Sequence, residues 1–201
     1  MDKLDLKKTY KALYAAKEQP ALIEVPELDY LMVDGHGDPN DNPLFTDGMG
    51  ALYGLAYTLK FMLKKQGVAD YGVMGLQGLW WADDPGDFQA GQREHWQWTL
   101  MILQPDFVTP EMVEATRVEV ARKKVAPRLE EVRLARLAEG LCAQVLHVGP
   151  YSEEGPTIAR LHAFIAAQGK QPRGKHHELY LSDPRRTAPE KMKTIIRQPV
   201  G

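Results

Sequence analysis

The chain has 201 residues, 44% hydrophobic and 26% charged, which is enough apolar material for a buried core in one large domain or in two small halves. Its 25 basic and 27 acidic residues are interspersed and leave a formal net charge of −2, so we expect no direct binding of nucleic acid. No run approaches the roughly 18 to 20 apolar residues of a membrane span, and residues 1–5 carry no apolar signal segment. These features predict a cytoplasmic protein without membrane contact.

The first half of the chain shows helical spacing, strand-like runs and turn-forming residues in a clear succession. In chain order, the predicted elements are a helical lead-in at 4–17, an extended segment at 21–33 broken at Pro26, a turn at 34–40, a helix at 50–67, and strands at 71–81 and 96–103 joined by a polar loop at 83–87.

The second half predicts the same order again, which indicates an internal duplication. Its elements are a strand at 141–148, the turn Gly149-Pro150-Tyr151, a helix at 157–168 and a strand-like run at 177–181. Three pairs of segments align: 58–67 with 160–169, 79–85 with 178–184, and 102–105 with 196–199.

The chain is therefore interpreted as one domain with two repeats, at about 21–109 and about 139–201. An inserted linker at about 110–138, helical in pattern and interrupted at Pro127, joins them. We expect an α+β fold built from two pseudo-repeats of strand-helix-strand-strand. The expected sheet is antiparallel, with helices packed on one face and a ligand cleft between the halves.

Glu178 is the acidic residue with the most informative surroundings. A period of two gives it the same strand face as His176 and Tyr180, and gives His177 and Leu179 the other face. If the second face packs against helices, the Glu178 face must meet solvent or a cleft. The alternative is a solvated strand glutamate that makes cross-strand pairs.

The alignment of the halves adds an apolar surface to this picture. Leu79 and Trp81 occupy the places of Glu178 and Tyr180, so the two matched strands would present all four side chains to a shared space. Such a pocket suits a flat hydrophobic ligand. Burial of a carboxylate there would raise its pKa and make it a better base.

All four tryptophans fall between Trp80 and Trp98. Trp96 and Trp98 share a strand face with apolar neighbours, which is typical of a core. Trp80 and Trp81 are adjacent and cannot both point inward from a regular strand, so one of them is a candidate aromatic surface for a ligand.

The sequence lacks the motifs of metal sites, acyl-transfer enzymes and phosphate-binding loops. Six histidines include no pair four residues apart and no Cys-x-x-Cys accompanies them, so no metal ligand set is predicted. The single cysteine, Cys142, lies in an apolar strand-like run and is interpreted as a core residue. No Gly-x-Ser-x-Gly elbow and no phosphate-binding glycine loop is present, so we expect neither an acyl-transfer nucleophile nor a cofactor.

The duplicated plan, the turn at 149–151 and the strand-borne Glu178 resemble the GyrI-like small-molecule-binding proteins over nearly the whole chain. Four segments are similar to the stand-alone branch of cyclopropanoid hydrolases; these are residues 78–81, 96–99, 104–109 and 176–186.

The resemblance implies detoxifying hydrolysis of a strained cyclopropane in DNA-alkylating natural products, with planar hydrophobic small molecules as partners. It implies that Glu178 activates water and that Tyr151 donates a hydrogen bond to the carbonyl conjugated with the ring. Further residues are expected to bind the substrate, by stacking, by apolar contact or as alternative hydroxyl donors; they are Trp81, Trp98, Leu79, Tyr180 and Tyr53.

Two other functions stay open at this point. The resemblance to the wider family also implies non-catalytic roles, as a multidrug-binding module, the effector domain of a transcription regulator or a gyrase-inhibitor protein. A module that sequesters drugs would use the same pocket. A chain of this length leaves no room for an added helix-turn-helix domain, which argues against the regulator role. A purely structural protein without a ligand is the third hypothesis. No oligomeric state is predicted.

Overall fold

The computed structural model describes residues 3–84, 86, 90–123 and 126–201. Residues 1–2 of the N-terminal segment lie outside the described residues, as do Pro85 and Asp87 of the predicted loop at 83–87. The strands and α-helices are, in chain order, β1 (Lys3–Leu4), α1 (Leu6–Thr9), α2 (Lys11–Tyr14), β2 (Ala21–Val25), β3 (Leu28–His36), α3 (Pro43–Lys65), β4 (Asp70–Tyr71), β5 (Gln77–Ala82), β6 (Trp96–Leu103), α4 (Pro110–Lys123), β7 (Arg133–Leu137), β8 (Gly140–Val148), α5 (Gly155–Ala167), β9 (His176–Tyr180) and β10 (Lys193–Pro199).

The chain divides into two compact units, each of which draws on two segments. The first unit comprises Met1–Thr9 and Leu28–Leu137, and the second comprises Tyr10–Glu27 and Ala138–Gly201. No helix among the described residues has the length and apolar character needed to cross a membrane.

In the first unit, four antiparallel strands lie in the order β5-β6-β3-β7, and β1 pairs with β4 in a short parallel ladder. Helix α3 packs on this sheet. It begins seven residues earlier than the apolar spacing predicts, because the Asn42 side chain accepts a hydrogen bond from the Leu44 amide at 2.9 Å and Pro43 suits the first helical turn.

Trp98 and Gly35 sit opposite each other on β6 and β3. The indole is fully buried, and a Cβ added at Gly35 would lie only 2.0 Å from Cη2 of that ring. The Trp98 Nε1 donates a hydrogen bond to the Gly37 carbonyl at 3.3 Å, and Phe45 of α3 packs edge-on against the ring at 5.4 Å between centroids. The glycine therefore leaves the space that the tryptophan fills.

Gly35→Ala is expected to lower the free energy of unfolding by about 1–3 kcal/mol, because the new methyl group overpacks the core at Trp98. Urea denaturation would measure the change. Gly50→Ala is the matched control, since a Cβ at Gly50 meets nothing within 4 Å and alanine favours the α3 helix by up to about 1 kcal/mol. Equal midpoints for Gly35→Ala and the unaltered protein would contradict this account.

In the second unit, four antiparallel strands lie in the order β2-β8-β10-β9. Helix α5 covers one face of this sheet, and its Leu161 and Ile165 are fully buried against Ala143, Val145 and Ile196. Each unit thus contains the order strand, helix, strand, strand, and the predicted α+β class with antiparallel sheets is confirmed. Their origin by duplication stays a prediction.

The predicted linker differs from expectation after Pro127. Its first part is helix α4, but the following residues form β7, which pairs with β3. Arg136 lies directly opposite Asp29, with Nε 3.0 Å from Oδ1, and Arg133 reaches Asp34 at 2.9 Å. The strand is therefore stabilised by cross-strand partners more than 90 residues away, which local helical spacing does not reveal.

Candidate functional site

Strand β9 carries the acidic residue singled out from the sequence. Glu178 pairs with Ile196 of β10, and Tyr180 pairs with Thr194, so Glu178 shares its face with these polar neighbours and with His176. The predicted division of the strand into two faces agrees with the observed ladder. The strand itself lies one residue earlier than the predicted run at 177–181.

The Glu178 face is not free of helices, contrary to the expectation. Val145, Ile196 and Ala143 lie on this face and form a core with α5. The opposite face is also covered, because Arg197 there donates to the Leu13 carbonyl of α2 at 2.9 Å. Strand spacing reveals which residues share a face, but not how many helices return to cover it.

Two neighbours on its own strand form hydrogen bonds with Glu178. The Tyr180 hydroxyl donates to Oε2 at 2.8 Å, and Nε2 of His176 lies 3.1 Å from Oε1. The Glu178 side chain is 14% exposed, whereas that of His176 is 5% exposed. The carboxylate is thus mostly buried, fixed in orientation, and still accessible.

Glu154 is the residue that sequence reasoning missed. It is the residue before α5, it is 5% exposed, and its side chain makes a hydrogen bond with the carboxyl group of Glu178. Two acidic residues ahead of a Gly-Pro helix start are typical of an ordinary helix N-terminus. No local pattern separates Glu154 from its exposed neighbour Glu153.

The pKa values of the two carboxyl groups are shifted in opposite directions. Burial, and then the charge of Glu178, raises the pKa of Glu154 to about 9. Burial also acts to raise the pKa of Glu178, but the hydrogen bond and charge of His176, followed by Tyr180 and Glu154, outweigh it and hold the pKa below its usual range. The predicted rise in the pKa of Glu178 is therefore wrong, because it counted burial without the donors. At neutral pH the pair shares one proton and carries one negative charge.

Tyr151 joins the same cluster from the single 3₁₀ turn ahead of α5. Its ring packs edge-on against Tyr180, with 5.5 Å between centroids, and the residue is 40% exposed. Burial, assisted by the charges of Glu154 and Glu178, raises the pKa of Tyr151 to about 12. The hydroxyl therefore keeps its proton and remains a hydrogen-bond donor. Of the predicted site residues, Glu178, Tyr151 and Tyr180 lie together.

The other predicted site residues belong to the first unit. Leu79 and Trp81 share one face of β5, where Leu79 is buried and Trp81 half-buried. The Tyr53 hydroxyl accepts a hydrogen bond from the Leu76 amide at 3.0 Å. Trp98 is 0% exposed between β3 and α3, so its expected contact with substrate is corrected here to a core role.

Cys142 follows the core interpretation. The residue is 0% exposed on β8, and burial, together with the charge of Glu139, raises the pKa of its thiol to about 12. A protonated, enclosed thiol is a poor nucleophile.

Behind Glu178, on the opposite face of β9, lies a buried ionic network. Nδ1 of His177 is 2.9 Å from Oε1 of Glu139, and a guanidinium nitrogen of Arg197 is 3.5 Å from Oε2. Arg173 donates to the Glu139 backbone carbonyl, and Arg197 also donates to Gln144 at 3.2 Å. The network ties β9, β10 and β8 together directly behind the carboxyl pair.

Tyr180→Phe is expected to raise the pKa of Glu178 by about one unit, because the carboxylate loses a charge-assisted donor. Nuclear magnetic resonance titration of isotope-labelled glutamate carboxyls would follow the shift. Tyr57→Phe, at an exposed tyrosine of α3, is the control. An unchanged titration in Tyr180→Phe would show that the hydroxyl does not stabilise the ionised form.

Comparisons with known proteins agree with this fold. The chain is 43% identical to an uncharacterized conserved protein from Listeria innocua, with a TM-score of 0.92, over 98% of this chain and 100% of that one. It is 42% identical to a hydrolase from Listeria innocua, with a TM-score of 0.87 over the same shares of the two chains. The C-terminal domain of EcmrR shares the fold, at 14% identity and a TM-score of 0.58, over 91% of this chain and 97% of that one. No curated protein matches the chain.

One family model matches nearly the whole chain. The model of the GyrI-like small molecule binding domain matches residues 18–200, which includes β2 to β10 and the whole carboxyl cluster. This match confirms the resemblance to the GyrI-like family. The chain belongs to the GyrI-like family of small-molecule-binding domains.

Proposed function

We propose that this protein is a hydrolase that adds water to electrophilic, cyclopropane-bearing hydrophobic small molecules and thereby detoxifies them. The observation that carries the proposal is the state of Glu178: an ionised, mostly buried carboxylate, oriented by Tyr180 and His176 beside a carboxyl group that keeps its proton. A fixed carboxylate base in a largely dry setting is suited to deprotonating one bound water.

The reaction balances with water as the only co-reactant. The water oxygen forms a bond to a ring carbon, the strained carbon–carbon bond breaks, and its electron pair moves into the carbonyl conjugated with the ring. Glu178 takes the proton of the water, and the oxyanion formed at the carbonyl takes a proton from solvent. Glu178 then returns its proton to solvent, and the site is restored.

Tyr151 is the proposed donor to that carbonyl. Its hydroxyl stays protonated well above neutral pH, the residue is 40% exposed, and its ring packs against Tyr180, which donates a hydrogen bond to Glu178. A donor directed at the developing oxyanion stabilises the transition state, and its removal from comparable sites costs about 10²- to 10³-fold in rate. The two tyrosine rings also provide an aromatic surface for a flat substrate.

The comparisons support the general class of this function. The family is one of small-molecule-binding domains, and a relative at 42% identity is described as a hydrolase. The cyclopropane substrate rests on the sequence resemblance and on the fit of one base and one hydroxyl donor to water addition. A non-catalytic, sequestering module would use the same groups to orient a ligand without turnover.

Counting product distinguishes these two functions. A cyclopropane-bearing alkylator, conjugated to a carbonyl, would be incubated with protein at one-hundredth of its concentration. The proposal predicts loss of nearly all the substrate as the water adduct, which mass spectrometry would quantify. Loss that stops at one equivalent per protein would support sequestration and overturn the hydrolase.

A further inference from the structure

Glu154 occupies a position where an acidic side chain normally caps a helix. Its backbone is helical, with φ −69° and ψ −23°, and its side chain makes no capping hydrogen bond to the first turn of α5. The carboxyl group instead meets Glu178 of β9 and is 5% exposed. The Glu154 side chain therefore does not stabilise α5 as a helix cap.

The groups facing Glu154 explain why it holds a proton. Glu178 faces it from β9 with a negative charge, the Tyr151 phenol lies on the preceding turn, and the Thr194 hydroxyl from β10 slightly favours the ionised form. The more distant charges act on its partners: His176 on Glu178, and Asp183 on Tyr151. Burial and the charge of Glu178 therefore keep the proton on Glu154, whereas the hydrogen-bond partners of Glu178 keep Glu178 ionised.

We propose that Glu154 is a positioning residue that keeps a proton between the two carboxyl groups, so that Glu178 alone is ionised, and that ionisation of Glu154 ends activity at alkaline pH. The catalytic part of this inference rests on the proposed hydrolase. When Glu154 loses its proton, two adjacent carboxylates repel each other and Glu178 is driven from its donors. Glu154 acts through Glu178 and need not touch the substrate.

The rate of turnover against pH is the first test. We expect the rate of the unaltered protein to fall as pH rises through about 9, where burial and Glu178 place the pKa of Glu154. Glu154→Gln mimics the protonated acid, so it should keep turnover at pH 7 within about tenfold and lose the alkaline fall. Glu153→Gln, at the exposed neighbour, should keep the fall. A fall that persists unchanged in Glu154→Gln would overturn the inference.

A second test does not depend on turnover. Infrared spectra should show the band of a protonated carboxylic acid at pH 7 that disappears as pH rises through about 9 and is absent from Glu154→Gln. If no variant turns over substrate but this band behaves as expected, the proposed hydrolase fails and the shared proton stands. If the band is absent from the unaltered protein, or persists in Glu154→Gln, the shared proton fails.

The pH dependence of thermal unfolding is a third test of the proton on Glu154. A carboxyl whose pKa is raised by folding adds stability that is complete below its ordinary value of 4.5 and is lost as pH rises towards about 9. Between pH 5 and pH 9 the unaltered protein should therefore lose stability relative to Glu154→Gln, by up to about tenfold in the folding equilibrium per pH unit. The melting temperature of Glu154→Gln should rise relative to that of the unaltered protein over the same range. A constant difference across this range would contradict a proton held by Glu154.

Discussion

Replacing Glu178 with Gln is expected to reduce turnover of a cyclopropane-bearing substrate by about 10²- to 10⁴-fold, the usual contribution of a general base. The amide has nearly the same shape but cannot accept the proton of the attacking water. Binding of the substrate should change much less, because the tyrosine surface remains. Initial rates, together with equilibrium dialysis of the unreacted ligand, would separate the two effects.

Glu190→Gln is the matched control for this substitution, because Glu190 is an exposed glutamate of the same unit. It should leave both rate and affinity unchanged. Full activity of Glu178→Gln would show that the carboxylate is not the base. Loss of binding equal to the loss of rate would instead indicate that Glu178 orients the ligand.

The largest effect on stability is expected from Glu139→Ala. This change removes the carboxylate that contacts both Arg197 and His177, and Arg197 is 0% exposed. Removing one partner of a buried ion pair leaves an uncompensated charge and costs about 3–5 kcal/mol. Urea denaturation at neutral pH would measure the loss.

Asp183→Ala provides the comparison for a surface ion pair. Arg185 reaches Asp183 at 3.1 Å, but the Arg185 side chain is 87% exposed, so the loss should be about 0–1 kcal/mol. If Glu139→Ala costs no more than Asp183→Ala, the network behind β9 does not stabilise the fold.

The same network predicts sensitivity to acid. Burial lowers the pKa of His177 despite the opposing charge of Glu139, whereas His177 and Arg197 outweigh burial and lower the pKa of Glu139. Both groups are therefore protonated more readily in the unfolded chain, so their contribution is complete above the ordinary histidine value of 6.5 and is lost as pH falls.

Much of the fold could be predicted because its signals are local. The period-two pattern put His176, Glu178 and Tyr180 on one face, and the strand at 96–103 was predicted with its observed bounds. Strand β7 could not be found in this way, since it depends on pairing with distant charges on β3.

The candidate site depends even more on contacts between residues that are distant in sequence. Glu154 reaches Glu178 only because α5 returns over the face of β9, and nothing in its neighbourhood along the chain distinguishes it from Glu153. The direction of the Glu178 pKa depends on His176, Tyr180 and Glu154. Strand spacing permits the hydrogen bonds of the first two but does not require them. The strand face of Trp98 is typical of a core, and its substrate role was implied by the resemblance alone; its full burial depends on the pairing of β6 with Gly35 of β3.

The most direct test of the central claim, that Glu178 activates water, is a single turnover in water enriched in the heavy oxygen isotope. With protein in excess over substrate, mass spectrometry would locate the label in the product and in the peptide that contains Glu178. Attack by a Glu178-activated water predicts that every product molecule carries one heavy oxygen and that the peptide carries none. Unlabelled product with label in Glu178 would show that the carboxylate itself attacks the ring, which would contradict the account.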